Sequence, residues 1–316
     1  MKASFLTGPM QSKVREIPIP EIGDDDILLR VAYVGICASE LHPWRTGVGG
    51  QNGLMGHEPM GYVAQVGRNV ADFKEGDRVT ALGHACFAEY ARVPARCVVR
   101  IPDGVSDKAA LGEPLSCLIS AAERTPVCYG DTCAIIGLGY MGLVMMNLIA
   151  LKGPRQVVAI DARPSCEAMA FRHGADVFYT PDQVPEAMKL TEWANMSRNF
   201  GIEVACEVSG SAPALELAGQ LVRQHGVLNI VGYHQGGPRS IDMQLWNWKA
   251  LTVINGHERR EDHQVRCMKH AMGLLAAGKL QLDHLVTHEF SLDQVDNAFT
   301  ALVEKPDGYI KGVVRV

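Results

Sequence analysis

The sequence predicts an α/β chain in which a β-rich N-terminal unit is followed by a doubly wound parallel sheet. Three observations point there. Short strands broken by Gly, Pro and Asp fill the chain to about residue 125, strands and helices alternate from 126 onward, and a glycine-rich turn sits at the first strand-to-helix junction. With 316 residues, 47% of them hydrophobic and 21% charged, the chain can bury a core in one large or two ordinary domains.

In the first region "ILLRVAYVGI", "GYVAQVG", "GDRVTALG", "FAEYARVP" and "VVRIPDGV" read as closely spaced strands, and residues 1–125 are expected to form a compact all-β unit. At 126 the character changes. "DTCAIIGLGYMGLVMMNLIALKG" is a strand, a turn and a long apolar helix; "QVVAID" is a second strand and "EAMAFRHGAD" a second helix. "GIEVACEVSG" continues as strand, "APALELAGQLVRQHG" as helix and "VLNIVGY" as strand, so that 126–254 forms the parallel-sheet unit. From 255 to 316 the alternation loses its regularity. "HQVRCMKHAMGLLAAGKL" is an amphipathic helix and "YIKGVVRV" ends as a strand.

Thirty Lys and Arg against thirty-five Asp and Glu leave a net charge of -5, with no basic footprint for nucleic acid or an anionic membrane. A small-molecule partner is expected instead. "MKASFLTGPM" lacks the layout of a secretory leader, and no run of about eighteen apolar residues occurs, so a cytoplasmic protein is expected. Nine cysteines without any C-x-x-C pair argue against a disulfide framework and against a thiolate zinc ribbon.

"GLGYMG" runs Gly137, Leu138, Gly139, Tyr140, Met141, Gly142, directly after the strand "CAII" and at the start of a helix. The first glycine permits the tight turn, the second lets backbone approach a pyrophosphate, and the third lets helix pack on strand. The helix N-terminus then offers unpaired N–H groups to phosphate. Asp161 follows Gly142 by nineteen residues at the end of "QVVAI", where a carboxylate can accept both adenosine-ribose hydroxyls and repel a 2′-phosphate. NAD is therefore expected over NADP; Arg163, two residues on, counts against that preference unless it simply covers the adenine face or lies in solvent. Later strand ends should supply the second wall of the site: Val208, Ser209 and Gly210, and Val231, Gly232 and Tyr233.

Three separated segments carry metal-ligand side chains: Cys37 in "GICASELH", His57 and Glu58 in "GHEPMGYV", and Glu113 in "LGEPLSC". A thiolate, an imidazole and a carboxylate with water make a tetrahedral zinc site that keeps one exchangeable position. Taken singly, each signal is weak: a cysteine before a strand end is usually core, a His-Glu pair usually a solvated turn, and Glu113 before Pro114 reads as a helix start.

Together, "GICASELH", "GHEPMGYVAQVG", "GDRV", "FAEY", "EPLSC", "GLGYMG" and "VVAID", in this order and at these intervals, resemble the zinc-containing alcohol dehydrogenases of the medium-chain dehydrogenase/reductase family, especially the sorbitol and polyol branch. The resemblance spans essentially the whole chain. It implies a GroES-like catalytic domain (1–125), a Rossmann NAD-binding domain (126–254) and a C-terminal segment (255–316) returning to the first. It also implies an NAD-linked oxidation of a secondary alcohol of polyol, sugar or cyclitol type in a homo-oligomer, dimer or tetramer. Cys37 and His57 match the first two catalytic-zinc ligands, Glu58 the acid beside that histidine, and Glu113 a position where polyol-type members carry glutamate; Glu58 and Glu113 both remain candidates for the third ligand. Ser39 matches the hydroxyl that takes the substrate proton and His42 the histidine that passes it to solvent. "GDRVTALGHACFAEY" runs straight to the next strand where many members insert a four-cysteine lobe, so one catalytic zinc and no structural zinc are expected. Glu40 stands where aspartate is frequent. A zinc-free quinone or enone reductase of the same fold, and a non-catalytic NAD-binding protein, are the alternatives.

Overall fold

Hydrophobic alternation and turn chemistry shape the first part of the chain into β1 (Lys2–Gly8), β2 (Gln11–Glu16), β3 (Asp26–Gly35), the short helix α1 (Leu41–Thr46), β4 (Glu58–Val66), β5 (Arg78–Ala81), β6 (Tyr90–Pro94) and β7 (Val98–Arg100). These come from a computed structural model that describes residues 1–196 and 200–316. The segment expected to be wholly β also carries α2 (Gly112–Arg124). Its cause is legible afterwards: Leu115, Leu118, Ile119 and Ala122 recur at helical spacing and are all buried, with Pro114 in the first turn, where a missing N–H costs nothing.

The alternating region gives β8 (Thr132–Ile136), α3 (Tyr140–Ala150), β9 (Gln156–Ile160), α4 (Glu167–Arg172), β10 (Val177–Tyr179), β11 (Ile202–Glu207), α5 (Ala212–Leu221), β12 (Val222–Ile230), α6 (Met243–Lys249) and β13 (Thr252–Asn255). One boundary departs from the sequence reading, which carried the helix through "VRQHG". The helix stops at Leu221, because Val222 pairs with Ile202 of β11, Arg223 Nε lies 3.1 Å from Glu203, and His225 takes a left-handed φ of 57°. The chain closes with α7 (Glu261–Ala276), β14 (Val286–Ser291), α8 (Val295–Glu304) and β15 (Lys311–Arg315).

Contacts divide the chain into one unit of Met1–Ser116 with Arg259–Val316 and a second of Cys117–Glu258. In the first, the strand order is β14-β15-β3-β4-β5-β7, with β6 also paired to β3. Its core includes Trp44 stacked on Phe299 at 5.4 Å and Phe87 edge-on to Phe299 at 6.1 Å. Trp44 belongs to α1 and its indole N–H donates to Asp296 at 2.9 Å, so the helix bearing His42 is fastened to α8. In the second unit all pairings are parallel, in the order β10-β9-β8-β11-β12-β13. The order reverses between β8 and β11, and ligands of such sheets sit beyond the carboxyl strand ends at that reversal.

Candidate functional site

In the first unit the antiparallel register of β3 with β4 sets Gly35 opposite Glu58. A Cβ on Gly35 would lie 1.9 Å from Glu58 Oε2, so only glycine leaves room for that carboxylate. Glu58 is buried, and its Oε2 meets Lys311 Nζ of β15 at 2.6 Å; the same ammonium donates to the Ile36 carbonyl at 2.9 Å. Ligand atoms of Cys37, His57 and Glu58 lie within 4.8 Å of one another. Glu113, in the first turn of α2, does not complete that group but feels the same field. Burial pushes its carboxyl up to about 7, His57 and Lys311 pull it down, and Glu58 and Glu40 push it up.

Glu40 has a defined place. Its Oε1 accepts the Gly56 N–H at 2.7 Å and lies 3.3 Å from His57 Nδ1, which leaves Nε2 as the ring atom turned toward Ser39 at 3.5 Å. Burial opposes a charged His57 ring, yet hydrogen bonds to Cys37 and Glu40 outweigh it and raise the imidazole well above its usual value. Ser39 Oγ donates to Cys37 Sγ at 3.2 Å. His42 is exposed on α1, and no hydrogen bond joins its ring to Ser39.

In the second unit, Gly137 adopts φ +96°, and a Cβ there would fall 2.7 Å from Ser209 Cβ. A Cβ on Gly142 would fall 1.8 Å from the Gly137 carbonyl oxygen, which fixes why the third glycine is needed. At Gly139 a Cβ would meet nothing within 4 Å, and no side chain caps α3 there. The protein's own atoms therefore do not account for that glycine, whereas a pyrophosphate approaching the helix N-terminus does. Leu138, Tyr140 and Met141 complete the turn, with Tyr140 buried in the first turn of α3.

Asp161 is busier than the sequence indicates. Its Oδ2 accepts the Leu138 N–H at 2.6 Å and its Oδ1 accepts from Arg163 N at 2.9 Å and Nε at 3.1 Å. Burial would raise this carboxyl, but those bonds hold it below the usual range. Arg163 thus neither lies free in solvent nor stands apart: it is paired to the acid. The second-wall residues do converge. A Cβ on Gly210 would lie 2.7 Å from the Tyr233 carbonyl oxygen, and one on Gly232 would lie 2.2 Å from Gly210 N. Val208 N donates to the Ile136 carbonyl and Val231 N to the Glu207 carbonyl, each at 2.8 Å. Tyr233 is exposed and stacks on His257 at 5.5 Å.

Sequence reasoning missed Gly35, Lys311 and Glu207. The latter two are charges at the ends of largely apolar strands, and nothing local separates them from Glu203 and Arg315 of the same strands; Gly35 had no signal, since its need arises only from the strand opposite.

The Alcohol dehydrogenase GroES-like domain model matches residues 23–103. The chain is 28% identical to the sorbitol dehydrogenase of Bacillus subtilis, over 99% of this chain and 97% of that protein. It is 26% identical to an alcohol dehydrogenase of Cupriavidus necator, over 100% and 98%. The crystal structure of 2R,3R-butanediol dehydrogenase from Bacillus subtilis shares the fold, with a TM-score of 0.83 at 24% identity over 100% of this chain and 99% of that one. The chain thus carries an alcohol dehydrogenase GroES-like domain over residues 23–103 and is similar over nearly its whole length to sorbitol and alcohol dehydrogenases. Among the described residues, no helix is long and apolar enough to cross a membrane.

Proposed function

We propose that the chain is a dehydrogenase of CH–OH donors that uses one zinc and NAD to oxidise a secondary alcohol of polyol, sugar or cyclitol type. The observation that carries this reading is the gathering of Cys37, His57 and Glu58 ligand atoms within 4.8 Å. A thiol, an imidazole and a carboxylate form a donor set suited to zinc with an open position. The relatives' names add sorbitol and alcohol as substrate classes.

Cys37 and His57 would hold the metal, with Glu58 or Glu113 as third ligand; zinc bound there would supply Lewis acidity, and a bound nicotinamide would supply hydride-accepting chemistry. Glu40 fixes the His57 ring so that Nε2 is the ligating atom. Ser39 accepts the proton leaving the substrate hydroxyl, and exposed His42 delivers it to water. The Gly137–Gly142 turn and the N-terminus of α3 bind the pyrophosphate. Asp161 accepts the adenosine-ribose hydroxyls with the acceptor capacity its three bonds leave, which favours NAD over NADP. No structural zinc takes part.

The Cys37→Ala protein tests the division of labour. Metal binding and turnover should both vanish while NADH affinity survives; loss of NADH binding in a protein that remains folded contradicts the two-site reading.

A further inference from the structure

Glu207 ends β11 with its side chain fully buried, and it is tied on every side. Oε1 accepts from Ser209 N at 2.7 Å, Ser209 Oγ at 2.7 Å and Gly210 N at 2.8 Å, while Oε2 lies 2.9 Å from His234 Nε2. Its backbone carbonyl accepts from both Val231 N and Gly232 N at 2.8 Å. One residue thus holds the loop after β11 and the loop after β12.

His234 closes the far side. Arg239 Nε donates to His234 Nδ1 at 3.3 Å, which assigns the Nε2 proton to the bond with Glu207. The same guanidinium donates to the carbonyls of Gln235 and Gly237, so the turn that follows β12 is wrapped round the histidine. These loops touch the glycine-rich turn through Ser209, whose Cβ would lie 2.7 Å from a Cβ added at Gly137. The chain Arg239, His234, Glu207, Ser209 therefore runs from an exposed turn to the first glycine of the pyrophosphate loop.

We propose that His234, held between Glu207 and Arg239, is a positioning residue that sets dinucleotide affinity by locking the loop after β12 onto the loop after β11. This rests on the dinucleotide reading given under Proposed function. Backbone freedom explains the need for such a lock: Gly210 takes φ +72°, and Gly236 and Gly237 take +84° and +107°, and glycine restricts its own backbone least of all residues. Loops that must be ordered on binding weaken it; loops held in place beforehand do not.

NADH titration by fluorescence on the whole chain tests this, with wild type, His234→Ala and His234→Gln side by side. A hydrogen bond to a charged group contributes about ten- to a hundredfold in an equilibrium constant. His234→Ala should therefore raise the NADH dissociation constant about tenfold or more and raise KM for NAD, with kcat at saturating NAD and bound metal little changed. His234→Gln, whose amide can still donate to Glu207, should recover most of the affinity. Unchanged affinity in His234→Ala, while wild type binds NADH, overturns the inference and leaves the dinucleotide reading standing. A loss that glutamine does not repair and that merely tracks melting temperature overturns it too. Failure of wild type to bind NADH removes the dinucleotide reading and this inference together.

Discussion

Replacing Lys311 by methionine removes the cation that faces Glu58 while keeping a side chain of similar length. The two side chains are 7% and 2% exposed and 2.6 Å apart, so water screens the pair little. Removing one partner of a buried pair leaves an uncompensated charge and costs about 3–5 kcal/mol, whereas an exposed pair contributes about 0–1 kcal/mol. Arg68 and Asp24 supply the internal control, with side chains 78% and 46% exposed. In urea denaturation of metal-stripped protein, Lys311→Met should lose about 3–5 kcal/mol and Arg68→Met less than about 1 kcal/mol. Adding Glu58→Gln to Lys311→Met should restore most of the loss, because the stranded charge is gone. A Lys311→Met protein as stable as the Arg68→Met control, or a double variant no better than the single, refutes the argument.

Further outcomes follow from the same geometry. Gly35→Ala should lower bound metal per chain, measured by elemental analysis, because the new Cβ occupies the place of Glu58 Oε2. Glu40→Ala should weaken zinc about 10- to 100-fold in a chelator competition, the usual consequence of releasing a ligand histidine from its carboxylate partner. Gly142→Ala should abolish NADH binding in a fluorescence titration, since the Cβ meets a backbone carbonyl that cannot step aside. Glu113 has a folded pKa raised from 4.5 to about 7, so the stability it contributes is complete below 4.5 and lost as pH rises through about 7. Glu113→Gln should flatten that part of the stability profile of the metal-stripped protein, and an unaltered profile counts against the assignment.

The glycine turn was legible because most of its reasons are local: Gly137 needs its positive φ and Gly142 packs on the Gly137 carbonyl within the same short motif, and only the approach of Ser209 to Gly137 comes from elsewhere. Cys37, His57 and Glu58 were legible as ligand types, but their meeting depends on the pairing of β3 with β4, which no single segment encodes. Lys311 lies 253 residues from its partner, so only the return of β15 beside β3 gives its charge a purpose. Asp161 was placed correctly at its strand end, yet its bonds to Leu138 and Arg163 belong to loop geometry rather than to spacing. The helix α2 was overlooked because short strands before it set a β expectation, although its apolar period is helical. The overextended helix at "VRQHG" failed for the opposite reason: pairing of Val222 with β11 overrode a local helical pattern.

The proposed function has one metal and one nicotinamide dinucleotide acting on an alcohol. Its most direct measurement is NADH formation, followed at the NADH absorbance band, from a panel of polyols, sugars and cyclitols, on protein of known zinc content, before and after a chelator. About one zinc per chain is expected, with alcohol-dependent NADH formation that the chelator removes and added zinc restores. Zinc-free protein that reduces quinones with the same cofactor, and leaves every alcohol untouched when zinc is supplied, contradicts it.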